Sequence, residues 1–118
     1  MTDAEKIYHN PRCSKSRDTL SLLKSNGVEP EVVLYLETPP DAQTLRQLLR
    51  MLGMGSAREL MRQKEDLYKS LNLDDSRLSE DQLVQAMVEN PKLIERPIVV
   101  ANGQARIGRP PEDVLEIL

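Results

Sequence analysis

The stretch from Lys6 to Ser25 restricts the folds open to this chain more than any other. Lys6-Ile7-Tyr8 reads as the end of a short strand, the first strand candidate spanning 5–8. Leu20, Leu22 and Leu23 read as the apolar side of a helix over 14–25 that stops at Asn26-Gly27. Between them only His9-Asn10-Pro11-Arg12-Cys13 remains to turn the chain. Cys13 is thereby placed at the first turn of the helix, where free N–H groups and the positive end of the helix dipole converge. Both favour thiolate over thiol, and the thiolate is the nucleophile. Arg12, Lys15 and Arg17 add positive charge. A lone cysteine is more often a small buried apolar residue. Arg, Ser, Lys and Ser are poor company for a core, however, and we read Cys13 as reactive. The spacing Cys-x-x-Ser puts Ser16 where a dithiol oxidoreductase would carry its second cysteine.

Glu31-Val32-Val33-Leu34-Tyr35-Leu36 is an apolar run of strand length, expected to be buried on both faces and parallel to the first strand. Thr38-Pro39-Pro40-Asp41 starts a helix, with Thr38 as the candidate N-cap, and Leu45, Leu48, Leu49 and Leu52 follow before Gly53 ends it. Ser56-Ala57-Arg58-Glu59 is a capping box for a helix that would set Arg58 and Arg62 on one face at i, i+4. Arg62 to Asp75 is charged and irregular, with Leu67, Tyr68, Leu71 and Leu73 as packing points. A second capping box, Ser79-Glu80-Asp81-Gln82, leads a helix to Asn90-Pro91.

The last third changes character. Pro97 to Ala101 is a strand, Asn102-Gly103 suits a type I′ turn, and Ala105 to Gly108 is the return strand. Pro110-Pro111-Glu112 opens a final helix with Val114, Leu115 and Leu118. The order β-α-β, helical segment, β-β-α is that of an α/β chain with a thioredoxin-like fold and inserted helices. We expect one domain over 1–118, with the helical insert at about 40–90. Such folds place a cis-proline just before the third strand, beside the active cysteine, and Pro97 fills that position. Arg96 would then face the cysteine loop, and Arg109 would reach the same edge. Any one arginine alone reads as a solvated surface residue. Several from distant segments meeting at one thiolate would form a site for a tetrahedral oxyanion.

Composition narrows the function further. With no Trp, no Phe and three Tyr, the core must come from Leu, Ile, Val and Met. A net charge of −3 gives no reason to expect nucleic acid or an anionic membrane as partner. No apolar stretch approaches a membrane span, and Met1 to Glu5 carries no signal pattern. One cysteine allows no internal disulfide, which makes a reducing, cytoplasmic setting the expectation. One Cys and one His are too few for a transition-metal site.

Five stretches together resemble the glutaredoxin-dependent arsenate reductase family (ArsC-type), in particular its short bacterial members. They are Ile7 to Arg17, Tyr35-Leu36-Glu37-Thr38-Pro39-Pro40, Arg58 to Arg62, Glu95-Arg96-Pro97-Ile98-Val99-Val100 and Arg109-Pro110-Pro111-Glu112. The resemblance implies that Cys13 attacks arsenate and that Arg62, Arg96 and Arg109 bind the oxyanion. The family's active-site histidine falls on His9 and its loop serine on Ser16. His9 is either a group that tunes the Cys13 loop or one that caps and packs the turn. The resemblance also implies glutathione as reducing co-substrate, glutaredoxin as the protein that recycles it, and no bound cofactor. Two features depart from the family. The chain ends at Leu118, soon after the last helix begins, and Ser14-Lys15 is more basic than expected after the cysteine. Two alternatives stand beside this reading. One is a thiol-stress regulator of the Spx type that binds RNA polymerase, against which Cys-x-x-Ser counts. The other is a reductase of another oxyanion or of a glutathione-linked substrate.

Overall fold

The computed structural model describes residues 5–118. They divide into two compact units, one made from the two ends of the chain (to Thr38 and from Arg96) and one from Pro39–Glu95.

The first unit holds a four-stranded sheet in the order β2-β1-β3-β4. Strands β1 (Lys6–Tyr8) and β2 (Glu31–Val33) are parallel, and β3 (Ile98–Ala101) and β4 (Gln104–Ile107) continue the sheet antiparallel. The register sets Ile7 opposite Val32 on one side and Val99 on the other. Helix α1 (Ser14–Ser25) crosses over between β1 and β2, because parallel strands need a long connection. It ends in a Schellman motif: Gly27 takes φ 77° and donates to the Lys24 carbonyl, and Val28 donates to that of Leu23. Asn102 and Gly103, at φ 53° and 75°, make the type I′ turn expected between β3 and β4. Leu23 of α1, Ile7, Val99, Ala101, Val114 and Ile117 form the core. This is the expected β-α-β, β-β-α arrangement.

Three expectations in this unit need correction. The second strand stops at Val33, because Leu34 accepts from the N–H groups of Glu37 and Thr38 and turns the chain. It is the edge of the sheet rather than a strand buried on both faces, and Val32 is 43% exposed. The final helix is a 3-10 segment over Pro111–Ile117 that buries Val114 and Ile117, while Leu115 and Leu118 stay exposed.

In the second unit, α2 (Ala42–Leu52) packs on α4 (Glu80–Glu89), burying Leu45 and Leu48 of one and Leu83 and Met87 of the other. Asp41, not Thr38, caps α2, accepting from the Thr44 N–H at 2.8 Å. Both capping boxes form, at Ser56 and at Ser79. The first opens only a 3-10 turn, Ala57–Leu60, after which Met61 is extended and bridges Ile94. Arg58 and Arg62 therefore share no helix face. Leu71, placed among the packing points, is 43% exposed after the short α3 (Asp66–Ser70), whereas Tyr68 and Leu73 are buried.

Candidate active site

The loop from His9 to Cys13 is held from beneath by one hydroxyl. The Ser16 Oγ accepts from the Asn10 N–H at 3.0 Å and shares a 2.6 Å hydrogen bond with His9 Nδ1. Ser16 is fully buried and His9 nearly so. Burial, then the charges of Arg17 and Lys24, lower the His9 pKa and so favour the neutral imidazole. The Ser16 hydroxyl, already accepting from Asn10, is then free to donate its proton to Nδ1. Above this staple the Asn10 Oδ1 accepts from the Arg12 N–H and the Asn10 carbonyl from the Cys13 N–H, both at 3.0 Å. Arg17 reaches back to the Pro11 carbonyl at 3.0 Å. Five residues thus make a rigid turn whose outcome is the placement of one sulfur.

Cys13 is the N-cap of α1, half-buried, with extended backbone at φ −95° and ψ 124°. Burial pushes its thiol up. The Ser16 N–H, the charge of Arg96, the Lys15 N–H and a hydrogen bond from Arg96 outweigh burial, and the net pKa lies below that of an ordinary cysteine. The two amides act as the open end of the helix, although no capping hydrogen bond to sulfur is closed. Arg109 brings its Nη2 to 3.6 Å from the Cys13 Sγ. Its Nε donates to the Arg96 carbonyl at 2.8 Å, so one guanidinium ties both loops to the sulfur. The Arg96–Pro97 peptide is cis, as the sequence suggested, and so is Arg109–Pro110, which it did not suggest. Beside the loop runs a groove of about 310 Å³ with Arg12, Leu34, Leu36 and Glu37 among its walls.

Of the expected site residues, Cys13, Arg96, Arg109, His9, Ser16 and Pro97 all fall in the first unit. Arg62 belongs to the second, where its guanidinium lies 3.4 Å from Glu65 and 3.6 Å from Glu95, with Lys92 also 3.8 Å from Glu65. Arg58 spends its guanidinium on the Leu73 and Asp75 carbonyls. Asn10 and Arg17 hold the loop without having been singled out for it. An Asn two residues before the first loop amide it caps is the signal that could have found the former. Among the described residues, no group of three or more His, Cys, Asp or Glu could hold a metal, and no helix is long and apolar enough to cross a membrane.

The site thus brings together a cysteine sulfur of lowered pKa, the first amides of a helix and the guanidinium groups of Arg96 and Arg109, the residue types of a nucleophile and of anion contacts. Known proteins carry the same framework. The uncharacterized protein YfgD of Escherichia coli K12 is 80% identical over 118 residues, covering 100% of this chain and 99% of its own. An arsenate reductase of Neisseria meningitidis serogroup A is 54% identical over 113 residues, covering 96% and 97%. The solved structure of an arsenate reductase from Vibrio cholerae superposes with a TM-score of 0.96 at 62% identity, covering 98% of each chain. The ArsC family model matches residues 8–117, and the chain belongs to the ArsC family.

Proposed function

We propose that this chain is an arsenate reductase that works with glutathione and glutaredoxin. The observation that carries the reading is the Cys13 sulfur at the N-terminus of α1 with Arg109 Nη2 at 3.6 Å and Arg96 beside it. The Cys13 thiolate attacks arsenic(V), a sulfur–arsenic bond forms, and one oxygen leaves as water after protonation. Arg96 and Arg109 hold the remaining oxygens and balance the charge that builds on them. The resemblance adds Arg62 as a third ligand to the oxygens. A glutathione thiolate then attacks Cys13, forming a mixed disulfide. The sulfur–arsenic pair of electrons goes to arsenic, which departs as arsenite. Glutaredoxin returns Cys13 to the thiol by taking over the glutathione.

Ser16 supports an external thiol as the resolving group. It occupies the Cys-x-x-Ser position and its hydroxyl is committed to the loop. The same fact weighs against a disulfide switch of the regulator type. His9 serves the loop in this scheme rather than acting as a base. Neither a metal nor an organic cofactor enters the steps, and the need for reduced thiols fits the cytoplasm.

The test is arsenate-dependent consumption of glutathione in the presence of glutaredoxin. Turnover is expected for the parent and loss to background for Cys13→Ser. A parent that consumes no glutathione with arsenate, yet does so with another oxyanion, would replace arsenate by that substrate.

A further inference from the structure

Gly108 lies between β4 and Arg109 and is buried. It is not one of the glycines with positive φ, which are Gly27, Gly53 and Gly103. What it contributes is therefore the absence of a side chain. A Cβ here would overlap the Thr19 hydroxyl and would lie 2.9 Å from the Pro97 Cγ and 3.1 Å from the Thr19 Cγ2, well inside the roughly 3.5–4.0 Å of ordinary contact. Thr19 cannot easily withdraw. It is fully buried, β-branched within α1, and its Oγ1 donates to the Lys15 carbonyl at 2.8 Å. Pro97 is held from the other direction, its carbonyl accepting from the Gly108 N–H at 3.0 Å. Helix α1, the entry to β3 and the exit from β4 thus meet at one point. That point is one residue from Arg96, one residue from Arg109, and one helical turn from Lys15, whose N–H faces the sulfur.

We infer that Gly108 is a positioning residue for the Cys13 site: its missing side chain sets how closely Arg96 and Arg109 stand to the Cys13 sulfur. The inference rests on the oxyanion reading above, but thiol acidity reports the same geometry without requiring arsenate as the substrate. Misplacement by about 1 Å is enough to cost an active site a large factor.

The experiment compares Gly108→Ala with Thr19→Ile, which drives a wedge into the same contact from the helix side. Thr19→Val, which keeps the volume and drops the hydroxyl, is the control. In the full chain one measures the Cys13 alkylation rate by iodoacetamide against pH, the arsenate concentration that half-protects Cys13, and the thermal melt. Both wedges are expected to melt cooperatively, to move the Cys13 pKa up towards the free value of about 8.5, and to weaken arsenate protection about tenfold or more. Thr19→Val is expected to keep both parental values. If only one wedge folds, it decides alone. Parental acidity and protection in a folded wedge would overturn the inference, even with a lowered melting temperature, since Gly108 would then serve stability only. So would a shift of equal size in Thr19→Val, or loss of the fold in both wedges. Should the parent show no protection by arsenate, the oxyanion reading fails while the acidity comparison still judges Gly108.

Discussion

At the scale of single residues, Cys13 is set by opposing pressures: burial favours the thiol, while Arg96 and the first amides of α1 favour the thiolate. The thiolate side prevails, so the folded pKa lies below the unfolded one. Between the folded and the unfolded pKa the native state holds fewer protons than the unfolded chain, so stability rises with pH across that window. The thiolate therefore contributes stability that is present above the unfolded pKa and lost as pH falls through the folded one. Alkylation of Cys13 should reach half its limiting rate at a pH below about 8.5, the free cysteine value, and Arg96→Ala should move that midpoint upward. A midpoint at or above the free value in the parent would remove the activated nucleophile. Cys13, Arg96 and Arg109 were legible in the sequence because each sits at an element boundary marked by its own punctuation: a turn before a helix, a proline before a strand, a proline pair before the last segment. The work of Ser16 was not. The buried face of α1 consists of Ser16, Thr19 and Leu23, and a search for apolar periodicity registers only the last. Gly108 was hidden for a related reason, since its role depends on a side chain that is absent and on neighbours distant in sequence.

At the scale of elements, local chemistry predicted most starts and stops and missed what distant strands impose. The Schellman end of α1, the Asn102-Gly103 turn and both capping boxes are local and were readable. The helix expected after Ser56 is cut short by pairing across the second unit: Arg62 N–H donates to the Leu93 carbonyl at 2.7 Å and Glu95 N–H to that of Leu60 at 2.8 Å. No pattern within residues 56–62 contains that information. The same rearrangement gives Arg58 a purpose that its apparent helix partner concealed. Its Nε donates to the Leu73 carbonyl at 2.9 Å and its Nη2 to the Asp75 carbonyl, closing the chain after α3. Arg58→Ala should therefore destabilise the protein by about 1–3 kcal/mol, the cost of leaving partly buried acceptors unpaired. Thermal melts check this: several degrees of loss are expected, with Cys13 acidity unchanged. A parental melting temperature would show that water replaces the guanidinium without penalty.

At the scale of the whole molecule, the chain's two ends build the sheet, and with it the turn that carries Cys13, while residues 39–95 fold as a compact unit of their own. A net charge of −3 conceals this organisation. The groups that meet the sulfur are cationic, and a local positive site can recruit an anion whatever the overall balance. The central claim is that this site binds an oxyanion directly at Cys13. Protection of Cys13 from iodoacetamide by arsenate, titrated at fixed pH and followed by mass spectrometry of the intact chain, tests it most directly. Saturable protection is expected in the parent. In Arg96→Ala and Arg109→Ala the half-protecting concentration should rise about tenfold to a hundredfold, as follows from losing a charge-assisted contact of roughly 1.5–3 kcal/mol, with lysine restoring only part because it lacks the planar fork. An alkylation rate that stays constant across the whole arsenate range in the parent would contradict the account.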